Sequence, residues 1–106
     1  MTAFPVSISR VEAILEANTQ ASANVIRMSS HIDDDDFRGI LGRLSIINTR
    51  MGLLVSCHDV PELRDLDAMI DAQVEENFFN ASEEFIHQVN DFVRKAEVVE
   101  HGQAYI

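Results

Sequence analysis

The chain has 106 residues, 46% hydrophobic and 25% charged, which is enough for one core and leaves no room for a second ordinary domain. With 4 Gly and 2 Pro it lacks the turn density of a sandwich or barrel, and its single cysteine, Cys57, excludes an internal disulfide framework. The net charge of −10 argues against direct binding to nucleic-acid phosphates or to an anionic membrane.

The first helix is expected over residues 8–31, opened by Ser7 or Ser9 as N-cap. Ile8, Val11, Ile14, Ala17, Ala21, Val25, Met28 and Ile32 recur at helical steps of three or four. Ala17, Ala21 and Ala23 leave its middle thin, so a neighbouring backbone can approach. Asn18, Gln20, Ser22 and Asn24 form an uncharged polar face, which is less costly to bury in a contact than a charged one.

Asp33 to Asp36 follow as a run. Carboxylates bind hard cations, but the run lacks the Gly and the Glu of an EF-hand loop. A turn and N-cap, with acids on the positive end of the next helix dipole, is the favoured reading. The second helix is expected over 35–57. Phe37, Ile40, Leu41, Leu44, Ile47, Met51, Leu54 and Val55 form its main stripe. Ile46 and Leu53, seven residues apart, start a second apolar strip, and Arg43 and Arg50 share a face at the same spacing. Gly39 and Gly42 are read as close-packing positions inside this helix.

The third helix is expected over 62–99, with Pro61 in its first turn and Asp59 as its cap. Leu63, Leu66, Ile70, Val74, Phe78, Ala81, Phe85, Val89, Phe92, Ala96 and Val99 keep one helical phase throughout. A continuous helix of that length would run about 55 Å. Asn80-Ala81-Ser82-Glu83 has the form of a capping box and offers a competing break. The expected fold is therefore all-α: an antiparallel bundle of three long helices in one domain, 1–106, with a break near Asn80 giving four as the alternative. Gly102 marks a helix stop, and 101–106 form a frayed tail.

Charge is concentrated in one segment. Residues 59–91 carry ten acids against Arg64 alone, a net −9, while the flanking segments nearly balance.

No catalytic motif stands out, and no enzyme activity or cofactor is expected. Glu84 and His87 form one Glu-x-x-His, with Asp91 a turn further on; paired copies of that motif hold di-iron sites in helical bundles. A single copy, without two further Glu, reads instead as a solvated face, so Glu84, His87 and Asp91 are the residues a metal-binding reading would rest on. His58-Asp59 lacks the companion residues of a metal phosphohydrolase.

The expectation is a non-catalytic protein-binding module: a small acidic helical adaptor, chaperone or inhibitor. In size, acidity and helicity it resembles small bacterial and phage accessory proteins. Its partner surface is assigned to Asp67, Asp71, Glu75, Glu76, Phe78, Phe79 and Glu83, an apolar anchor with an acidic rim suited to a basic partner protein. The alternative is an acidic nucleic-acid mimic, with Asp67, Asp71 and Glu75 in a row at four-residue spacing. Self-association as a dimer is expected through the surplus apolar faces of the second and third helices, where Ile46, Leu53, Met69, Ile86 and Val93 lie off the main stripes. Met1 to Ser7 lack the basic and apolar regions of a secretory signal. The apolar run Met51 to Cys57 is short of the ~20 residues of a membrane span. A cytoplasmic location is expected.

Overall fold

A computed structural model describes residues 4–60, 62–63 and 70–103. Among them there are three α-helices and no strand: α1, Ile8–Arg27; α2, Asp34–Asp59; and α3, Ala72–Gln103. A short 3-10 turn, Ser29–His31, joins the first two. The molecule is an elongated bundle of 64 × 19 × 18 Å.

Local signals start the helices. Ser7 caps α1, its Oγ accepting from the Arg10 amide at 3.4 Å. Asp33 caps α2, its Oδ2 accepting from the Asp35 amide at 3.1 Å, and Asp34, Asp35 and Asp36 fill the first turn. The tetra-aspartate run thus works as a helix start.

Contacts between helices give the topology. Phe4 packs edge-on against His58, with ring centroids 5.3 Å apart, and the Asn18 amide donates to the Leu44 carbonyl at 2.9 Å, so α1 and α2 are antiparallel. Arg10 reaches Glu76, Asn80 and Glu83 while Arg27 pairs with Glu97, so α1 and α3 run in the same direction. Arg50 pairs with Glu75 and Arg43 lies over Phe85, so α2 and α3 are antiparallel.

Three narrow seams make the core. α1 contributes Val11, Ile14, Asn18, Ala21 and Val25; α2 contributes Leu44, Ile47, Met51, Leu54 and Cys57; α3 contributes Glu75, Phe79, Ser82, Ile86, Val89 and Val93. Each runs at steps of three and four residues, the spacing that keeps one seam facing a neighbouring helix.

The structure corrects several expectations. The third helix begins at Ala72 rather than residue 62: Ile70 and Asp71 are not helical, and Glu62–Leu63 form a tight turn in which the Leu63 amide donates to the Val60 carbonyl at 3.0 Å. Pro61 and residues 64–69 lie outside the described residues. Asp59 is the last residue of α2, not a cap of α3. α3 passes through Asn80 without a break, since that side chain accepts from Arg10 at 2.8 Å instead of capping a new helix. It also continues past Gly102. Asn18 is buried rather than on a polar surface, and Ala17 is exposed.

On α3 the packed seam lies one residue over from the expected stripe. Phe79, Ile86 and Val93 are in the core, whereas Val74 is 55% exposed and Phe92 37% exposed. Gly39 and Gly42 are not close-packing positions within the protomer, because a Cβ at either would meet nothing within 4 Å. Finally, α2 as a whole is long and apolar enough, by length and composition, to cross a membrane; its small polar residues interrupt the apolar run without adding charge. Only 28% of its most apolar 18-residue window is buried inside the protomer.

Candidate docking face on α2 and α3

That uncovered share of α2 defines the candidate site. Gly39, Gly42, Ile46, Thr49, Leu53, Ser56 and Val60 follow one another at steps of three and four, all exposed and none charged. Ile46 is 63% and Leu53 47% exposed. A matching strip on α3 runs through Val74, Phe78, Ala81, Phe85, Gln88 and Phe92, again without a charge. Between the strips lies an open cleft of about 400 Å³, lined by Arg43, Ile46, Phe78, Glu84, Phe85 and, at its floor, Ser82. The Arg43 guanidinium stands 5.0 Å from the Phe85 ring centroid, a cation–π contact across the cleft. Ser82 Oγ is buried there without a hydrogen-bond partner.

One end of this face is held by an ion pair between a buried carboxylate and a half-exposed guanidinium. The Glu75 carboxylate is fully buried; its Oε2 accepts from Arg50 Nε at 3.1 Å, and Arg50 Nη2 is paired with Oε1. The acid of a charge-rich segment is thereby neutralised inside the bundle.

The α1 side of α3 is closed by other means. Arg10 donates to Glu76 at 2.6 Å, to Asn80 at 2.8 Å and to Glu83 at 2.5 Å, and lies 5.4 Å from the Phe79 ring centroid. Hydrogen bonds that Arg10 donates to Glu83 and then to Glu76 push its ionisation further up, so the clamp carries its charge at any ordinary pH.

The assigned partner residues do not share one surface. Asp67 lies outside the described residues. Asp71 is the N-cap of α3, its Oδ1 accepting from the amides of Gln73 at 2.9 Å and Val74 at 3.2 Å. Glu75 and Phe79 are buried, and Glu76 and Glu83 are bound by Arg10. Of the six described, Phe78 alone lines the α2–α3 cleft. With Asp71 capping and Glu75 buried, the acidic row of the nucleic-acid mimic is broken at two of its three positions.

The metal candidates are also dispersed. Glu84 lines the α2–α3 cleft and accepts from Gln88 at 3.3 Å, whereas His87 lines the opposite groove, between α1 and α3. His87 Nε2 is 3.8 Å from Asp91, which accepts from Arg94 at 2.5 Å. Among the described residues no three His, Cys, Asp or Glu side chains come together as a metal site would need.

What the reading of the sequence missed is the continuity of the two outer strips. Ile46 and Leu53 signalled the first, but Gly39, Gly42, Thr49 and Ser56 complete it. An uncharged run at one helical phase was the available sign.

Among the described residues, the fold and the face together define an all-α helical bundle with an uncovered apolar side. No known protein family matches the chain, nor does any curated protein or solved structure.

Proposed function

We propose that the protein is a non-catalytic, cytoplasmic protein-binding module that receives helices of another chain on its α2–α3 face. The observation that carries this reading is a pair of uncharged strips at coiled-coil spacing, Gly39 to Val60 on α2, exposed, and Val74 to Phe92 on α3, exposed but for the partly buried Phe78 and Phe85. Contiguous apolar surface of this kind is costly to leave in water and marks interaction sites. The bulky side chains provide anchors: Ile46, Leu53, Phe78 and Phe85. The glycines and small polar residues between them leave holes for knobs from a neighbouring helix.

A membrane-spanning role for α2 draws less support. Arg38, Arg43 and Arg50 are spread along it, and an arginine at the bilayer centre costs about 2.5–3.5 kcal/mol. The acidic rim of α3 is secondary, since its described members, Asp71, Glu75, Glu76 and Glu83, are engaged within the protomer.

Site-specific photo-crosslinking in the native cell tests the reading. A crosslinker at Thr49, on the face, should capture protein, including any second copy of this chain. One at Glu16, exposed on α1, should not. Equal capture at both positions, or none at Thr49, would remove the face from consideration.

A further inference from the structure

We propose that the occupant of the α2–α3 face is a second copy of this chain, related by a two-fold axis parallel to the bundle, so that α2 of each copy lies on α3 of the other. The inference rests on the docking reading above and names its partner. A two-fold of this kind preserves height along the bundle, so residues of α2 meet those residues of the second copy's α3 that stand level with them. Within the protomer the Arg43–Phe85 and Arg50–Glu75 contacts fix those levels.

At these levels the two strips are complementary in size. Gly42 stands level with Phe85, Thr49 with Phe78, Ile46 with Ala81 and Leu53 with Val74. Each bulky residue thus meets a small or similar one, as interdigitating helices need. The register also accounts for Gly42. A mid-helix glycine facing empty space costs roughly 1 kcal/mol relative to alanine and gains nothing inside the protomer. Opposite a phenylalanine of a second copy, it makes room for the ring.

Charge complementarity points the same way. The charged groups lining the cleft and its extension along α2 are Arg43, Glu84 and Arg50, the last already neutralised by Glu75. The face is therefore the balanced region of a molecule with net charge −10, and a strongly basic partner has no special claim on it. In the two-fold arrangement Arg43 stands level with Glu84 of the second copy, and the pair occurs twice, as an isologous interface requires. Acids off the face repel their counterparts only weakly, because the screening length is about 8 Å at physiological ionic strength.

The area suffices. From Val74 to Phe92 the strip is roughly 27 Å long at the helical rise, and the bundle is 19 Å wide. That is roughly 500 Å² on each copy and 1,000 Å² in all, at the threshold for a specific interface.

The test uses the purified full chain. Light scattering and sedimentation at ~100 μM should give a dimer, no weaker in high salt. Gly42→Glu should keep the helical protomer, since its side chain enters open space, yet weaken association by about tenfold or more by placing a charge opposite a phenyl ring. Ile46→Cys protein mixed with Ala81→Cys protein should yield a disulfide-linked heterodimer on mild oxidation, while each alone yields little; Cys57 is buried and stays out of the exchange. A monomer at that concentration overturns the inference. So does a dimer that tolerates Gly42→Glu and gives no mixed disulfide. Binding to phosphatidylserine vesicles that Gly42→Glu abolishes would assign the face to a lipid surface and equally overturn it. A monomer whose Thr49 still captures another protein in cells removes the second copy but leaves the docking face standing; a monomer without that capture removes both.

Discussion

Helix α3 carries two neighbouring strips that share one helical spacing and differ in fate. One, Glu75 to Val93, is buried against the rest of the bundle; the other, Val74 to Phe92, is partly or wholly in water. The buried strip contains a glutamate and a serine, while the exposed one contains three phenylalanines. Hydrophobicity alone would have ordered them the other way. The contacts of Arg10 with Glu76, Asn80 and Glu83 and of Arg50 with Glu75 set the rotation of α3, and once it is set the phenylalanine strip is left beside the cleft. Ionic contacts on two sides accompany the strip that the protomer buries.

Paired substitutions in the two strips should separate most sharply. Phe79→Ala, in the packed strip, is expected to cost about 3–5 kcal/mol in denaturant unfolding. Phe85→Ala, at a partly buried position on the cleft, should cost the protomer less, about 1.5 kcal/mol. Equal losses in monomeric conditions would mean that the strips are not distinct.

Next in size is the Arg50–Glu75 ion pair, whose carboxylate alone is buried. Arg50→Met leaves Glu75 buried without its partner and should destabilise by about 3 kcal/mol. Adding Glu75→Gln should recover a good part of that loss, so a double-mutant cycle should show coupling above ~1 kcal/mol. Additive losses would show that the pair does not hold the rotation of α3.

Arg10→Ala should cost about 1–2 kcal/mol at low ionic strength, combining surface ion pairs with the cation–π contact to Phe79. The loss should shrink in 1 M salt, which screens the ionic share. A salt-independent loss would assign the effect to packing alone.

The smallest effect has the opposite sign. Gly42→Ala fills open space on α2 and removes a helix-breaking residue, so it should stabilise the monomeric protomer by about 0.5–1 kcal/mol. A destabilisation there would mean that the site is closed.

How much of this was legible in the sequence differs from helix to helix. The seams of α1 and α2 follow from the spacing of Val11, Ile14, Ala21 and Val25 and of Leu44, Ile47, Met51 and Leu54, because each has a single dominant apolar phase. The role of the aspartate run as a helix start was equally legible. α3 was not, because two apolar phases run side by side and the packed one includes Glu75 and Ser82, which no hydrophobic pattern selects. Burial of Glu75 depends on Arg50, 25 residues earlier on another helix, which is tertiary information. The start of α3 was hidden for a related reason: Leu63, Leu66 and Ile70 share its phase by spacing, while its cap, Asp71, is one acid among ten in that segment. Asn18 entered the core through a hydrogen bond to a backbone carbonyl, again invisible to residue type.

Carbene footprinting across a concentration series tests the central claim most directly. If the α2–α3 face docks a second copy, labelling of Ile46, Leu53 and Val74 should fall as concentration rises, while Ile26, 56% exposed on α1, keeps its labelling throughout. Labelling of all four that stays constant from dilute solution to ~100 μM, or that falls at Ile26 and not at Ile46, would contradict the account.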